Sequence, residues 1–291
     1  MATTQNSTKP VIHSGTFNIG GDLTVHRLGF GSMRLTGQGV WGEPANHQEA
    51  IAVLHRALEL GVTLIDTADS YGPEVSEKLI AEALYPYPQN LVIATKGGFV
   101  RTGPDQWVVN GDPKYLRSAC EGSLNRLKLE RIDLYQLHRI DAQVPLEDQI
   151  GVLIDLQQEG KIRHIGLSEV SVNQIEAVRR MTPVVSVQNK YSLMERGAEK
   201  VLEYCTQEQI AFIPWHPLAR GTLTKQDGIL TRLAARLQAS PGQIALAWLL
   251  KKSPVLLPIP GTSSLKHLEE NAFAALLDLD DSAMKELEDI G

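Results

Sequence analysis

The stretch from Ile132 to Ser168 reads IDLYQLHRIDAQVPLEDQIGVLIDLQQEGKIRHIGLS, and it holds two apolar runs around one helical pattern. The runs, Ile132–His138 and Arg163–Ser168, have strand length and nearly continuous apolar interiors. Such interiors are typical of parallel strands that are buried on both faces. One face of a helix over residues 145–160 is formed by Leu146, Ile150, Leu153 and Leu156. The stretch therefore predicts a parallel β-α-β unit.

The same alternation continues in both directions along the chain. The eight predicted strands are Leu28–Ser32, Thr63–Thr67, Leu91–Lys96, Ile132–His138, Arg163–Ser168, Val184–Gln188, Ile210–Trp215 and Val255–Ile259. Further helical patterns lie at 47–60, 74–84, 113–128, 171–180, 195–208 and 241–252, and the tail from Asp278 predicts a final amphipathic helix. Eight βα units predict an α/β protein with a single (β/α)8 TIM barrel. A doubly wound sheet is the alternative, because counting strands does not demonstrate closure.

The ends of the predicted barrel carry three further features. Residues 16–27 hold two short alternating runs around Gly20-Gly21-Asp22, a pattern that predicts an N-terminal β-hairpin. Residues 1–14 are polar and lack a pattern, so we expect a flexible leader before one barrel domain at 15–291. Two connections are unusually long, Gly97–Asp112 and His216 to about Gly228. Both follow strands and would lie on the C-terminal face, where barrel enzymes build their active sites.

Composition restricts the classes of function. The 291 residues are 43% hydrophobic and 21% charged, and 28 Lys+Arg against 34 Asp+Glu give a net charge of −6. This balance argues against a general nucleic-acid binder, and no apolar run approaches the ~18 residues of a membrane span. Residues 1–14 lack the pattern of a signal or transit peptide, and Cys120 and Cys205 lie in helical patterns. We expect a cytoplasmic protein with no nucleic-acid, membrane or metal partner; its oligomeric state stays open, with a monomer favoured.

Four polar side chains follow predicted strands at their C-terminal ends. Asp66 lies near the end of the second strand and Tyr71 just after it, Lys96 ends the third and His138 ends the fourth. One interpretation is structural: an Asp66–Lys96 ion pair, with His138 capping a loop. The other is a proton-transfer site. An ammonium lowers the phenol pKa from its usual ~10, a carboxylate holds the ammonium in place, and the histidine donates to a substrate oxygen. Such a site would deliver a proton to a carbonyl oxygen.

Several motifs together resemble the aldo-keto reductase superfamily, in order from about residue 26 to the end. They are Gly61–Gly72 (GVTLIDTADSYG), Thr95-Lys96, Asp133–His138, Ile165–Ser168 and Ile259–Asn271. The resemblance implies a TIM-barrel oxidoreductase that uses NADPH to reduce aldehydes or ketones to alcohols. The catalytic tetrad of the family falls on Asp66, Tyr71, Lys96 and His138, with Tyr71 as the general acid. Asp69 is interpreted as a loop or helix-capping residue, because the family carboxylate lies five residues before the tyrosine.

The resemblance also implies where the cofactor lies. Beside the nicotinamide ribose it places Ser32, Met33 and Arg34. For the nicotinamide carboxamide it implies Ser168, Glu169 and Gln188, where Glu169 replaces the commoner Asn and can accept but not donate a hydrogen bond. Trp215 would stack on the nicotinamide, the alternative being a buried core tryptophan. Along the pyrophosphate it places His216, Pro217 and Leu218, with His216 in place of the usual Ser. For the adenosine end it implies Ile259, Gly261, Thr262, Ser263, Ser264, His267, Glu270 and Asn271.

The region expected to bind the 2′-phosphate has few cations. Many NADPH-preferring members carry Lys or Arg near positions 263–264 and an Arg at 267, whereas the nearest cations here are Lys266 and His267. We therefore expect NADPH to be preferred over NADH by a smaller margin than in those members. No G-x-G-x-x-G opens a βαβ unit, which argues against a Rossmann-type site.

The predicted substrate is a small carbonyl compound. The expected pocket wall consists of Met33, Trp41, Phe99, Trp107 and residues near Ile140, which suits a flat or aromatic aldehyde. Within the superfamily, Ala83–Pro88 and Gly261–Asn271 are most similar to bacterial pyridoxal reductases, which favours pyridoxal. A reductase for assorted aldehydes is one alternative, and a cofactor-binding, redox-sensing subunit without turnover is another. A barrel hydrolase or isomerase would need a metal cluster or a carboxylate pair at strand ends, and no such spacing occurs.

Overall fold

The computed structural model describes residues 9–218 and 228–290, and its centre is a curled parallel sheet. The strands in chain order are β1 (Thr16–Ile19), β2 (Leu23–His26), β3 (Phe30–Gly31), β4 (Leu64–Asp66), β5 (Val92–Gly97), β6 (Phe99–Gly103), β7 (Gln106–Val109), β8 (Ile132–Leu137), β9 (Ile162–Ser168), β10 (Ser186–Gln188) and β11 (Ala211–Phe212). Seven of them pair in parallel in the order β11-β10-β9-β8-β5-β4-β3, and two antiparallel hairpins, β1–β2 and β6–β7, lie outside this sheet.

The eighth predicted strand closes the sheet into a barrel. Leu256 forms a parallel bridge with Phe212 of β11, and the Leu257 amide donates to the Phe212 carbonyl over 2.8 Å. On the other edge, the Gly29 amide donates to the Pro258 carbonyl over 2.9 Å. Proline has no amide hydrogen to donate, so this segment cannot extend a regular ladder. The (β/α)8 barrel is confirmed, and the doubly wound alternative is wrong because both sheet edges are joined.

Helices cover the outside of the barrel. They are α1 (His47–Glu59), α2 (Val75–Leu84), α3 (Pro113–Leu127), α4 (Leu146–Gln158), α5 (Val172–Arg179), α6 (Glu199–Gln207), α7 (Gly228–Leu237), α8 (Pro241–Lys252), α9 (Leu265–Phe273) and α10 (Asp281–Glu288). In α4, the predicted apolar face is buried at Ile150, Leu153 and Leu156. Among the described helices, none has both the length and the apolarity needed to cross a membrane.

The β1–β2 hairpin lies under the barrel, as the sequence predicts. Gly20 and Gly21 both adopt positive φ in its turn, a conformation that favours glycine. Its buried residues Ile19, Leu23 and Val25 pack against side chains of the central strands. The hairpin therefore fills the end of the barrel opposite the predicted site.

The prediction of a flexible leader over residues 1–14 is wrong for its last part. Pro10–Ser14 forms a 3-10 helix, in which Val11 is fully buried and its amide donates to the Leu60 carbonyl over 3.2 Å. Pro10 is buried as well, and the Leu28 amide donates to the Ser14 hydroxyl over 3.1 Å, so apolar burial and hydrogen bonds together hold the segment on the barrel. Residues 1–8 lie outside the described residues.

The first long connection contains the second hairpin, where the sequence predicts only a long loop. Strands β6 and β7 pair across a turn in which Asp105 has a positive φ of 54°. The Arg101 guanidinium on β6 donates to the carbonyls of Val40 and Ser70, each over 2.8 Å. The hairpin is thereby fixed to loops at the C-terminal end of the barrel. In the second long connection, residues 219–227 lie outside the described residues.

Candidate active site

The buried Lys96 is hydrogen-bonded to both Asp66 and Tyr71, two of the catalytic residues that the sequence predicts. Lys96 is fully buried at the end of β5, next to β4, which ends in Asp66. Its Nζ donates to Asp66 Oδ1 over 2.6 Å, to the Thr67 carbonyl over 2.8 Å and to the Tyr71 hydroxyl over 3.3 Å. An ammonium has three hydrogens to donate. All three are used, and one of them is directed at the phenol.

Two amide side chains hold the other oxygen of Asp66. Gln188 Nε2 donates to Oδ2 over 2.8 Å, and Gln136 Nε2 donates to the same atom over 3.3 Å. Gln188 thus has a partner other than the carboxamide that the resemblance implies. Gln136 is absent from the sequence-based site; its only signal is a polar residue within the apolar run of β8. Together these donors fix the orientation of the carboxylate.

His138 lies just beyond β8 in an aromatic environment. The centre of its ring is 4.7 Å from that of Phe99, 6.0 Å from that of Tyr71 and 6.4 Å from that of Trp107. Burial, with the positive charges of Lys96 and Arg139, holds the pKa of His138 well below its usual range. The imidazole is therefore neutral near pH 7 and carries one N–H that can donate.

The net shift of the Tyr71 pKa is upward, whereas the sequence analysis predicts that Lys96 lowers it. Burial raises the pKa of Tyr71 above its usual value, since a phenolate loses its hydration there, and Asp66 acts in the same sense. Lys96 lowers the pKa, as predicted, but does not outweigh burial. The phenol consequently keeps its proton at neutral pH, which is the state that a general acid requires.

A cavity of about 630 Å³ opens over these residues at the C-terminal end of the barrel. Three of the catalytic candidates line it, Asp66, Tyr71 and His138, and Lys96 lies behind them. The cofactor candidates in its wall are Met33, Arg34, Ser168, Gln188, Trp215, His216, Pro217, Leu218, Ile259, Gly261, Thr262 and Ser263. Those outside its wall are Ser32, Glu169, Ser264, His267, Glu270 and Asn271.

Two of the candidates outside the wall have partners within the protein. The Ser32 hydroxyl donates to the Asp66 carbonyl over 2.9 Å and accepts from the Ser76 hydroxyl over 2.7 Å. Glu169 Oε1 accepts from the Trp215 indole N–H over 2.5 Å and from the Lys190 amide over 2.7 Å. Glu169 therefore orients the half-buried Trp215, a relation that the sequence did not indicate.

The far end of the cavity has the chemistry of an anion site. Gly261, Thr262 and Ser263 line it just before α9, and the N-cap residue Ser264 makes no side-chain cap. Uncapped amides at a helix N-terminus carry partial positive charge and bind phosphates. Lys266 and His267 are exposed on the first turn of α9, whereas Asn271 is buried. Backbone amides and hydroxyls thus fit the phosphates of a dinucleotide.

The substrate end of the cavity is aromatic. Met33, Phe99 and Trp107 line it as predicted, and so does Arg139, the neighbour of Ile140, whereas Trp41 and Ile140 itself are not in its wall. Trp107 stacks on Arg101, whose guanidinium carbon is 3.7 Å from the ring centre. Among the described residues, no group of three or more His, Cys, Asp or Glu side chains is arranged to hold a metal ion.

Asp69 lies behind the site and is buried in the loop after β4. Its Oδ1 atom has no hydrogen-bond partner among the described residues, and its side chain does not cap α2. Burial, together with the negative charge of Glu77, raises the pKa of Asp69 from 3.8 to about 8. Asp69 is thus a loop residue, as predicted, but not a helix cap.

The raised pKa of Asp69 predicts a pH-dependent stability. Between about pH 4 and pH 8 the folded state keeps a proton that the unfolded state loses, so this contribution is largest at low pH and is lost as pH rises. An amide does not ionise, so Asp69→Asn lacks this pH dependence. The free energy of unfolding of Asp69→Asn, relative to that of the parent, should therefore rise by about 1–3 kcal/mol from pH 5 to pH 9. Thermal unfolding of both chains at pH 5 and pH 9 measures this difference in stability. Asp278→Asn, at a side chain that is 96% exposed, is the control. A constant difference between parent and Asp69→Asn would contradict the prediction.

Known proteins resemble the chain along nearly its whole length. Residues 27–291 match the model of the Aldo/keto reductase family. An uncharacterized oxidoreductase of Schizosaccharomyces pombe is 52% identical over 289 residues, which are 99% of this chain and 94% of that protein. Pyridoxine 4-dehydrogenase of Escherichia coli K12 is 40% identical over 283 residues, 95% of this chain and 98% of that protein. The crystal structure of an aldo-keto reductase from Klebsiella pneumoniae in complex with NADPH is 27% identical, with a TM-score of 0.80 and 94% of each chain covered.

Proposed function

The chain belongs to the aldo/keto reductase family, and we propose that it uses NADPH to reduce a small aldehyde or ketone to the alcohol, with Tyr71 as the general acid. The observation that carries the proposal is the chain of hydrogen bonds from Asp66 through Lys96 to Tyr71. It ends at a phenol in the wall of a cavity with an aromatic end and an anion-binding end.

The cavity wall fits the cofactor. The half-buried Trp215 offers a ring face to the nicotinamide, and residues 216–218 follow it along the wall. The uncapped N-terminus of α9, with the hydroxyls of Thr262 and Ser263, suits the phosphates. Bound NADPH supplies a hydride for the carbonyl carbon.

The protein's own residues supply the proton and direct it to one oxygen. As the Tyr71 proton moves to the substrate oxygen, the Lys96 ammonium stabilises the phenolate that forms. Burial lowers the pKa of Lys96, but Asp66 and Tyr71 more than offset this effect, so its pKa is raised and the ammonium keeps its charge. The neutral His138 can donate its single N–H to the same oxygen and so orient the carbonyl.

Pyridoxal is the substrate that we propose first. Its flat ring suits a wall that contains Phe99 and Trp107, whose ring centres are 5.5 Å apart with their planes 70° apart. The 40% identical relative that is named pyridoxine 4-dehydrogenase supports the same choice. The alternative within the same chemistry is a range of aromatic aldehydes.

A substrate panel followed at 340 nm tests the function, with pyridoxal and 4-nitrobenzaldehyde against NADPH and NADH. We expect turnover of both aldehydes and a modest preference for NADPH, because the exposed Lys266 and His267 cannot bind the 2′-phosphate through two parallel hydrogen bonds as an arginine does. Binding of NADPH without turnover of any aldehyde would indicate a cofactor-binding subunit. Equal or better efficiency with NADH would mean that residues 261–264 do not recognise the phosphate.

The contact between Trp215 and Glu169 predicts a graded effect on cofactor binding. Trp215→Ala should raise the Kd of NADPH about 10-fold or more, because stacking area is lost, with only a small change in thermal stability. Glu169→Ala should raise the Kd less, since the ring stays but loses its acceptor, and Glu169→Gln should restore it because an amide oxygen can accept.

Calorimetric titration with NADPH, together with thermal unfolding of each variant, measures this effect. Lys190→Ala serves as a neighbouring control, because Lys190 contacts Glu169 only through its backbone amide. If Trp215→Ala binds NADPH normally and unfolds many degrees earlier, Trp215 is a core residue and not part of the cofactor site.

A further inference from the structure

The residue after His138 places a guanidinium in the wall of the catalytic cavity. Arg139 is half-buried, and its Nη1 donates to the His138 carbonyl over 2.7 Å and to the Ser168 hydroxyl over 3.0 Å. Its Cζ atom is 5.3 Å from the centre of the Phe99 ring. These contacts hold the guanidinium in one orientation next to the proposed catalytic residues.

Within the described parts of the chain this guanidinium forms no ion pair. No carboxylate oxygen there lies within 4.0 Å of it, and its Nε and Nη2 atoms make no hydrogen bond to any described residue. The charge of Glu169 acts on the guanidinium from a distance, but the Glu169 carboxylate accepts from the Trp215 indole and the Lys190 amide instead. Other partly buried arginines are satisfied: Arg126 pairs with Glu77 over 2.6 Å, and Arg101 donates to several backbone carbonyls. A partly buried charge without a partner is costly. Arg139 therefore lines the cavity with its Nε and Nη2 hydrogens lacking a partner among the described residues.

We propose that Arg139 is a specificity-determining residue that selects carbonyl substrates bearing an anionic oxygen, a phenolate or a carboxylate, next to the carbonyl group. The proposal rests on the proposed function and names its substrate class. A guanidinium presents a planar fork of donors that binds such oxygens through charge-assisted hydrogen bonds.

The position of the anion relative to the carbonyl follows from shared contacts. The His138 ring and the Arg139 guanidinium both pack on the ring of Phe99, with centres 4.7 and 5.3 Å away. The positive charge of Arg139 is also close enough to Tyr71 to lower the pKa of that phenol. The groups that act on the carbonyl oxygen and the group that binds the anion thus meet at one end of the substrate.

This arrangement suits planar ortho-substituted aldehydes. Pyridoxal belongs to the class, because its ring carries an acidic hydroxyl on the carbon next to the one that bears the aldehyde. An aldehyde of the same shape without an anionic oxygen would leave Arg139 unpaired. The enzyme would discriminate between aldehydes with and without an anionic oxygen because only the former pair with the Arg139 charge.

The test compares matched aldehydes with matched variants. We would measure kcat/KM with NADPH for 2-carboxybenzaldehyde, 4-carboxybenzaldehyde and benzaldehyde, using the parent chain, Arg139→Met and Arg139→Lys. The parent should prefer the 2-carboxy compound over benzaldehyde by about 10-fold or more. Arg139→Met should lose about 10- to 100-fold on the 2-carboxy compound and little on benzaldehyde, and Arg139→Lys should fall between. Arg131→Met, at an exposed position just before β8, is the control.

A binding measurement keeps the proposal testable without turnover. Phthalate, titrated into the NADPH complex, should bind the parent chain about 10-fold more tightly than Arg139→Met. Equal phthalate affinities, or a loss of kcat/KM that is the same for all three aldehydes, would overturn the proposal. So would a weaker affinity of Arg139→Met for NADPH alone, since Arg139 would then serve the cofactor. Failure of the parent chain to reduce any aldehyde would contradict the proposed function, while the phthalate result would still decide the role of Arg139.

Discussion

Replacement of Tyr71 by Phe should lower kcat for aldehyde reduction by about 10²–10⁴-fold and leave the Kd of NADPH nearly unchanged. The substitution removes the hydroxyl that accepts from Lys96 Nζ and keeps the ring that packs near Trp107. Because this phenol is protonated at neutral pH, its loss removes a proton donor and not a charge. The fold should be retained.

Steady-state kinetics, calorimetric NADPH titration and thermal unfolding distinguish these effects. Tyr87→Phe is a matched control, because its hydroxyl donates to the Leu127 carbonyl over 2.7 Å, outside the cavity wall. It should keep full activity at some cost in stability. A Tyr71→Phe chain with kcat near that of the parent would exclude Tyr71 as the general acid.

Replacement of Lys96 by Met should remove activity and also destabilise the fold. Asp66 would stay buried with only the amides of Gln136 and Gln188 as partners, and breaking a buried ion pair costs about 3–5 kcal/mol. Turnover should fall by at least ~10²-fold, since nothing would stabilise the phenolate as the proton leaves. Chemical denaturation and kcat measure the two effects on one sample.

A second substitution distinguishes a catalytic role of the Lys96–Asp66 ion pair from a purely structural one. In Lys96→Met combined with Asp66→Asn, both charges are absent, so much of the lost stability should return. Turnover should stay low, because the phenolate still lacks its cation. If the double variant recovered activity together with stability, the role of Lys96 would be structural and the proton-transfer interpretation would be wrong.

The periodic parts of the fold follow from short stretches of sequence. The spacing of Ile150, Leu153 and Leu156 defines a helix face, and the apolar runs define the strands, because both patterns depend only on neighbouring residues. The alternation of the two predicts a barrel, and the barrel collects the C-terminal ends of its strands at one face. Asp66, Lys96 and Tyr71 could therefore be brought together without coordinates. Sequence periodicity does not predict the β6–β7 hairpin, because neither Phe99–Gly103 nor Gln106–Val109 alternates apolar and polar residues; their pairing is decided by the tertiary structure.

What the sequence by itself determined is the alternation of strands and helices and the residue types at the ends of the strands. Closure of the barrel through Leu256 and Pro258 was decided by the tertiary structure. The tertiary structure alone also decided how the side chains at the strand ends pair. Gln136 and Gln188 reach Asp66 across 70 and 122 residues of chain, and Glu169 reaches the Trp215 indole across 46. The net rise in the Tyr71 pKa and the lack of an ion pair at Arg139 likewise depend on atoms from many elements. Periodicity is local and can be read along the chain, whereas hydrogen-bond partners and loss of hydration arise only when distant strands come into register around one axis.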